Sequence, residues 1–195
     1  MALRIPIFPL GTVLYPGGRL RLHIFEPRYV VMTQRCLGED SVFGVSLILD
    51  GREVGQPAVP HALGCTARIV DWAQIEPGLY ALTAVGESAF RILRREVMAD
   101  GLTVADVEIL PPPAPQPVPE VHAPLVRLLQ QLIEQPGAEP LVPPLRLDEG
   151  GWVAQRLAER LPLPAAARQR VLESTDAEEQ LAVVAAALAG LRRGG

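Results

Sequence analysis

Two regimes of hydrophobic patterning divide this chain. Through Leu110, short apolar runs are punctuated by Gly and Pro. In Arg19–Ile24, Leu20, Leu22 and Ile24 alternate with Arg19, Arg21 and His23, the period of a strand with one buried face. Residues 42–49 form a continuous apolar run closed by the turn signal Asp50-Gly51. Further strands are predicted at 65–70, 79–85 and 88–93, and Asp100-Gly101 marks a hairpin into 102–110. Residues 5–8 read as a strand that Pro6 and Pro9 would confine to a sheet edge. Strands this short, without the spacing of crossover helices, predict a closed or nearly closed barrel, which also hides sheet edges. One helix interrupts them: Pro27 suits a first helical position, Tyr29, Met32 and Cys36 share a face, and Gly38 is the expected stop. It would cap one mouth of the barrel.

The break between regimes is the stretch PPPAPQPVP at 111–119, six prolines in nine residues, which favours an extended polyproline conformation and acts as a semi-rigid spacer. Beyond it the apolar period is helical. Leu125, Leu128, Leu129, Leu132 and Ile133 make one stripe; Trp152, Val153, Leu157 and Leu161 make another. Pro164 opens a third helix reaching Val171 and Leu172. Thr175 with Glu178 resembles a capping box for a fourth, lined by Leu181, Val184, Leu188 and Leu191. Four short amphipathic helices require a shared core, hence a small bundle. The organisation is therefore a β-barrel domain over 1–110, a linker over 111–119 and a helical bundle over 120–195.

Composition narrows the chemistry. All 18 cations are Arg, and the chain has neither Lys nor Asn. Without Lys there is no Walker A loop, no Schiff base and no Ser–Lys nucleophile. A net charge of −4 argues against a phosphate-coating or membrane-coating role, so neither nucleic acid nor membrane is expected as a partner. Cys36 and Cys65 are too few for a disulfide framework and read as buried thiols in a reducing cytoplasm. No secretory leader is expected from the opening MALRIPIFPLG, and the apolar run at 181–188 is too short to cross a bilayer.

Catalytic constellations are not legible. The four serines avoid the G-x-S-x-G pattern, and His23, His61 and His122 are scattered. Nothing resembles a metal-ligand cluster, so no cofactor and no metal are expected. Glu178-Glu179 and Asp148-Glu149 sit at helix starts, where the dipole accounts for them. Arg94-Arg95 and Arg192-Arg193, with few aromatics nearby, make a poor nucleic-acid surface. Glu26 and Arg28 flank Pro27 and are placed to form a local ion pair at the strand-to-helix corner. What remains is apolar surface. Tyr15 and Pro16, in the turn Tyr15-Pro16-Gly17-Gly18, together with Phe25 and Met32, could build a groove for an extended peptide. The competing reading is that Tyr15 and Phe25 simply close the core.

In combination, IPIFPLGTVLYPGGRLRLHIFEPRY, then Cys36-Leu37 and Phe43-Gly44-Val45, resembles the amino-terminal domain of the Lon ATP-dependent protease, with Ile24-Phe25-Glu26-Pro27-Arg28-Tyr29 the most specific piece. Trp152-Val153-Ala154-Gln155-Arg156-Leu157 and Leu161-Pro162-Leu163-Pro164 resemble the helical portion of short, stand-alone bacterial members. The resemblance implies an α+β fold, a PUA-like six-stranded β pseudo-barrel with an inserted helix followed by a helical bundle. It also implies a part in selecting and holding polypeptide substrates and in oligomerisation. The chain stops where the protease would continue into its ATPase and peptidase modules, so the expectation is a non-catalytic, cytoplasmic polypeptide-recognition module. Its partners would be unfolded or apolar segments and a separate protease or chaperone. The alternatives are a small-ligand or nucleotide-binding barrel and a structural homodimerisation unit.

Overall fold

The structure is a computed structural model that describes residues 2–193, with side chains through Leu191. Its contacts divide the chain into two units, residues 1–112 and 113–195.

In the first unit the apolar runs become strands β1 (Leu3–Leu10), β2 (Arg19–Ile24), β3 (Phe43–Asp50), β4 (Val59–Pro60), β5 (Leu63–Glu76), β6 (Leu79–Val97) and β7 (Thr103–Ile109). The neighbour order β1-β7-β6-β5-β3 closes on itself through a β1–β3 pairing, which is parallel; the other pairings are antiparallel. Six long strands and the two-residue β4 thus form the expected pseudo-barrel, with β2 pairing along the first part of β6. The interior is filled by two clusters, one around Phe8, Ile24, Tyr29, Phe43 and Leu82, the other around Ile7, Phe90 and Val107.

Three local expectations are corrected. Strand β1 is no edge: it pairs with β7 through Leu3–Ile7 and with β3 through Ile7–Leu10. Its prolines are tolerated because Pro6 pairs only with β7 and Pro9 only with β3, so each missing N–H can fall on a side without a ladder. The predicted strands at 79–85 and 88–93 are one strand running through Gly86. Gly86 does not break the strand but receives a turn: its N–H donates to Gly18 O (2.9 Å), its carbonyl accepts from Gly17 N–H (2.8 Å), and a Cβ there would strike the Tyr15 carbonyl. Finally, helix α1 (Pro27–Glu39) passes through Gly38 and ends at Asp40, whose left-handed backbone (φ 48°) caps it. Arg68 holds that cap, donating from Nη1 to the Asp40 carbonyl (2.8 Å) and carboxylate (2.9 Å). Tyr29, Met32 and Cys36 put the apolar face of α1 into the first core cluster.

The second unit contains α2 (Ala123–Glu134), α3 (Gly150–Arg160), α4 (Ala165–Glu173) and α5 (Ala177–Arg193). Val153, Leu157, Leu181 and Val184 are wholly buried, as the stripes require, whereas Leu191 is exposed near the end of α5. The cap of α5 is Asp176, not Thr175: Asp176 Oδ1 accepts from Glu179 N–H (2.8 Å), and Ser174 Oγ donates to the Glu179 carboxylate (2.6 Å). Part of the proline-rich segment is integral to this unit. Val118 N–H donates to Asp148 O (3.1 Å), and Gly150 N–H to Gln116 O (2.8 Å). The Gln116 side chain accepts from Ala177 N–H (3.0 Å) and donates to Thr175 O (3.2 Å). The side chains of Arg192 and Arg193 lie outside the described residues.

Candidate functional site

The corner between β2 and α1 is built first. Glu26 precedes Pro27, and the Arg28 guanidinium folds back to donate to the Glu26 carboxylate (2.8 Å) and to Gly101 O (3.3 Å) while lying 4.7 Å from the Tyr29 ring. Arg28 is only 6% exposed. The pair expected from the sequence thus forms, directly after Phe25 in the chain.

Phe25 points outward and is 57% exposed. It lines a groove of about 190 Å³ together with the rest of the run Arg21–Phe25. Phe8, Leu10 and Tyr29 add apolar lining, and Glu53 and Val54 complete it. The loop carrying Val54 is tied down where the Glu53 carboxylate accepts the Gly11 N–H at the end of β1. Val54 is itself 56% exposed. Two large, exposed apolar side chains therefore line one concave surface, which buried hydrophobic cores do not need and partner surfaces use. Burial pushes the Tyr29 phenol upward, so it stays protonated and acts as an amphipathic wall rather than an anion.

Of the four residues singled out in the sequence, Phe25 lines this groove. Tyr15 is fully buried and Met32 is 1% exposed, so both are core residues and present no surface to a partner. The physical reason is the docking of the 15–18 turn on β6 and of the α1 face on the barrel interior. Pro16, within that turn, is half-buried. Sequence reasoning missed Leu22, which is partly buried against the core, and Val54. A signal for Val54 existed: it is a single branched apolar residue in the otherwise polar stretch Gly51-Arg52-Glu53-Val54-Gly55-Gln56.

A second cavity of about 280 Å³ lies beside β1 and α1, with Arg4, Arg35 and Arg68 on its wall. Each of these arginines is matched by carboxylate: Arg4 by Glu96 (3.1 Å) and Asp106 (3.3 Å), Arg35 by Glu39 (3.2 Å), Arg68 by Glu87 and Asp40. Cys36 also lines it, and burial pushes that thiol up, keeping it protonated and inert. The three histidines fall on separate parts of the fold: His23 on β2, His61 between β4 and β5, His122 ahead of α2. Among the described residues, no three His, Cys, Asp or Glu side chains gather as a metal-holding group, and no helix is long and apolar enough to cross a membrane.

Comparison with known proteins places this architecture. Over 112 residues, 55% of this chain, it is 33% identical to protein cereblon of Xenopus tropicalis, a match that covers 24% of that protein. Over 194 residues, 92% of the chain, it is 26% identical to Lon protease 2 of Myxococcus xanthus, covering 23% of it. The chain thus spans about a quarter of the length of the curated relatives it matches. Among solved structures it is similar to a Lon N-terminal domain protein from Xanthomonas campestris, with TM-score 0.77 and 33% identity over 94% of this chain and 98% of that one. A second, the N-terminal domain of a Mycobacterium avium complex Lon protease, shares the fold at TM-score 0.52 and 16% identity. The family model for the ATP-dependent protease La (LON) substrate-binding domain matches residues 4–189, and the chain belongs to that family.

Proposed function

We propose that this chain is a polypeptide-recognition module that performs no bond cleavage itself, and that it takes unfolded or apolar segments in the groove between Phe25 and Val54. The observation that carries this reading is the pair of exposed apolar side chains, Phe25 and Val54, 57% and 56% accessible, that line one groove with Phe8, Leu10 and Tyr29. Membership of a substrate-binding family supports it. So does the size of the groove: about 190 Å³ is smaller than the ~300–1,000 Å³ usual for small-molecule sites, and suits side chains of a longer partner better than a whole nucleotide. In this reading Tyr15 and Met32 act from within the core by fixing the wall, Pro16 shapes the turn beside it, and Phe25 makes the contact. The bound segment would be handed to a separate protease or chaperone in the cytoplasm, a compartment that the two buried free thiols suit. The division into a barrel domain, a proline-rich linker and a helical bundle belongs to the same proposal, the barrel carrying recognition.

The test is a titration with fluorescently labelled, reduced and carboxymethylated lactalbumin, which cannot refold. Saturable binding is expected, weakened roughly thirtyfold or more by Phe25→Ala combined with Val54→Ala, since truncating a well-placed anchor costs about 1–2 kcal/mol and each 1.4 kcal/mol is tenfold. Because both side chains are largely exposed, the double variant should melt within a degree or two of the parent. Absence of saturable binding at high micromolar concentration would refute the proposal.

A further inference from the structure

The ring of strands is closed, but β6 outruns it. The pairing of β6 with β5 reaches Leu63↔Arg91, and from Leu93 to Val97 the strand has only β7 beside it. Among the described residues no strand pairs with the other side of this stretch. All five of its residues are exposed, Leu93 to 57% and Val97 to 54%. Hydrogen bonding in the hairpin fixes which way the main chain points. Met98 N–H donates to Leu102 O (2.8 Å), so the main chain of Met98 is turned toward β7. Main-chain groups alternate sides along an antiparallel strand, and the register from Arg94↔Asp106 to Val97↔Thr103 is unbroken. The N–H and C=O of Arg95 and Val97 therefore face the side without a neighbour. An edge of this kind is a template for another strand.

We infer that this edge is the pairing surface for a second copy of the chain, the two β6 strands joining antiparallel about a two-fold axis at Arg95. The choice of occupant follows from Leu93-Arg94-Arg95-Glu96-Val97 read against itself. A two-fold axis between antiparallel strands sets one residue opposite its own copy and reverses the order of the rest. With Arg95 on the axis, Arg94 stands opposite Glu96 of the other copy, Glu96 opposite Arg94, and Leu93 beside Val97 at each end. Unlike charges in opposed strand positions attract and like charges repel. Moving the axis one residue either way loses both unlike pairs and sets Arg95 opposite Leu93 or Val97. Glu96 already holds Arg4 (3.1 Å), which also holds Asp106 (3.3 Å), so an incoming Arg94 extends an existing ionic row. The opposing term is Arg95 against its own copy. The exposed stretch 70–76 of β5, beyond the pairing of β5 with β3, carries Asp71 and Glu76 and no cation, so it has no such match with itself. The register shift at Leu93 ends the regular run, which keeps the pairing short and the dimer weak.

The experiment is sedimentation velocity of the full chain from micromolar to millimolar concentration, with hydrogen exchange measured at both ends of that range. A reversible dimer and nothing larger is expected, with slower exchange at the Arg95 and Val97 amides when the chain is concentrated. Arg94→Glu turns both unlike pairs into like ones and should weaken the dimer about tenfold, whereas Arg95→Gln relieves the repulsion on the axis and should tighten it severalfold. Val97→Pro removes an outward N–H without touching the ladder to β7 and should leave a monomer. Should that variant not fold, the exposed Arg94→Glu change carries the test. A parent chain that stays monomeric at millimolar concentration overturns the inference. So does a dimer that Arg94→Glu leaves unchanged or that Arg95→Gln fails to tighten. Growth beyond two copies overturns it as well, since that would pair the β6 edge with a different surface, such as the acidic stretch of β5.

Discussion

At the scale of single residues, Arg28 does the most structural work near the site. Its guanidinium is buried, its partners are a carboxylate, a carbonyl and an aromatic ring, and they come from both sides of the β2–α1 corner and from the β6–β7 hairpin. Removing one member of a buried pair strands the other, a cost of about 3–5 kcal/mol. Arg28→Ala should therefore lower the barrel's unfolding free energy by about that amount in urea titration, and Arg28→Lys should recover only part of it, because an ammonium cannot serve separate acceptors through a planar fork. In the helical unit, Arg156 is fully buried, donates to Glu159 (2.9 Å) and lies 5.9 Å from the Trp152 ring. Burial pushes the Glu159 carboxyl up to about 7, against the pull of Arg156 and Arg160. The folded state then holds a proton that the unfolded chain releases near 4.5. Stability should consequently fall as pH rises from about 4.5 to about 7 and level off above, by no more than about 1.4 kcal/mol per pH unit. Glu159→Gln should remove that slope in thermal melts followed across the range; a slope that persists unchanged would assign it to another group.

At the scale of elements, the caps and the glycines show what local sequence can and cannot specify. Helix α5 starts where Asp176 accepts the Glu179 N–H, one residue beyond the Thr175 that the capping pattern picks out. Asp176→Ala should destabilise the helical unit by about 1 kcal/mol and Thr175→Ala by much less, read as a shift in the denaturation midpoint. Ser and Thr near a helix start look alike in a sequence; which side chain reaches the backbone depends on the path of the preceding turn. Gly38 and Gly86 make the same point in opposite senses. Both read as breaks, yet α1 runs through the first and β6 through the second. At Gly38 a Cβ would meet open space, whereas at Gly86 it would strike the Tyr15 carbonyl, so Gly38→Ala is expected to stabilise slightly and Gly86→Ala to unseat the 15–18 turn.

At the scale of the whole molecule, the function proposed is one of surface rather than chemistry. The family is a substrate-binding one, the groove has an apolar lining, and the three acids held protonated by burial lie apart: Tyr29 lines the groove, Cys36 the second cavity, and Glu159 belongs to the other unit. The purified chain is expected to consume no ATP and to leave casein intact under conditions in which it binds unfolded lactalbumin. Turnover that copurifies with the chain and disappears with Phe25→Ala would contradict the proposal.

The sequence by itself determined the class of fold, because period-2 and period-3.6 patterns, turn glycines and a block of prolines are local signals that each element reads from its own residues. The strand Arg19–Ile24, the hairpin at Asp100-Gly101, the four helical stripes and the Glu26–Arg28 pair were all legible in that way. Only the tertiary structure decided that β1 closes the ring despite its prolines, that Tyr15 and Met32 are core while Phe25 is surface, and that Val54 and Phe25 line the same groove. Aromatic and aliphatic side chains carry the same hydrophobic signal whether they fill a barrel or line a groove on its surface. What separates the two cases is which strands are neighbours, and that is fixed by pairings between residues far apart in the chain.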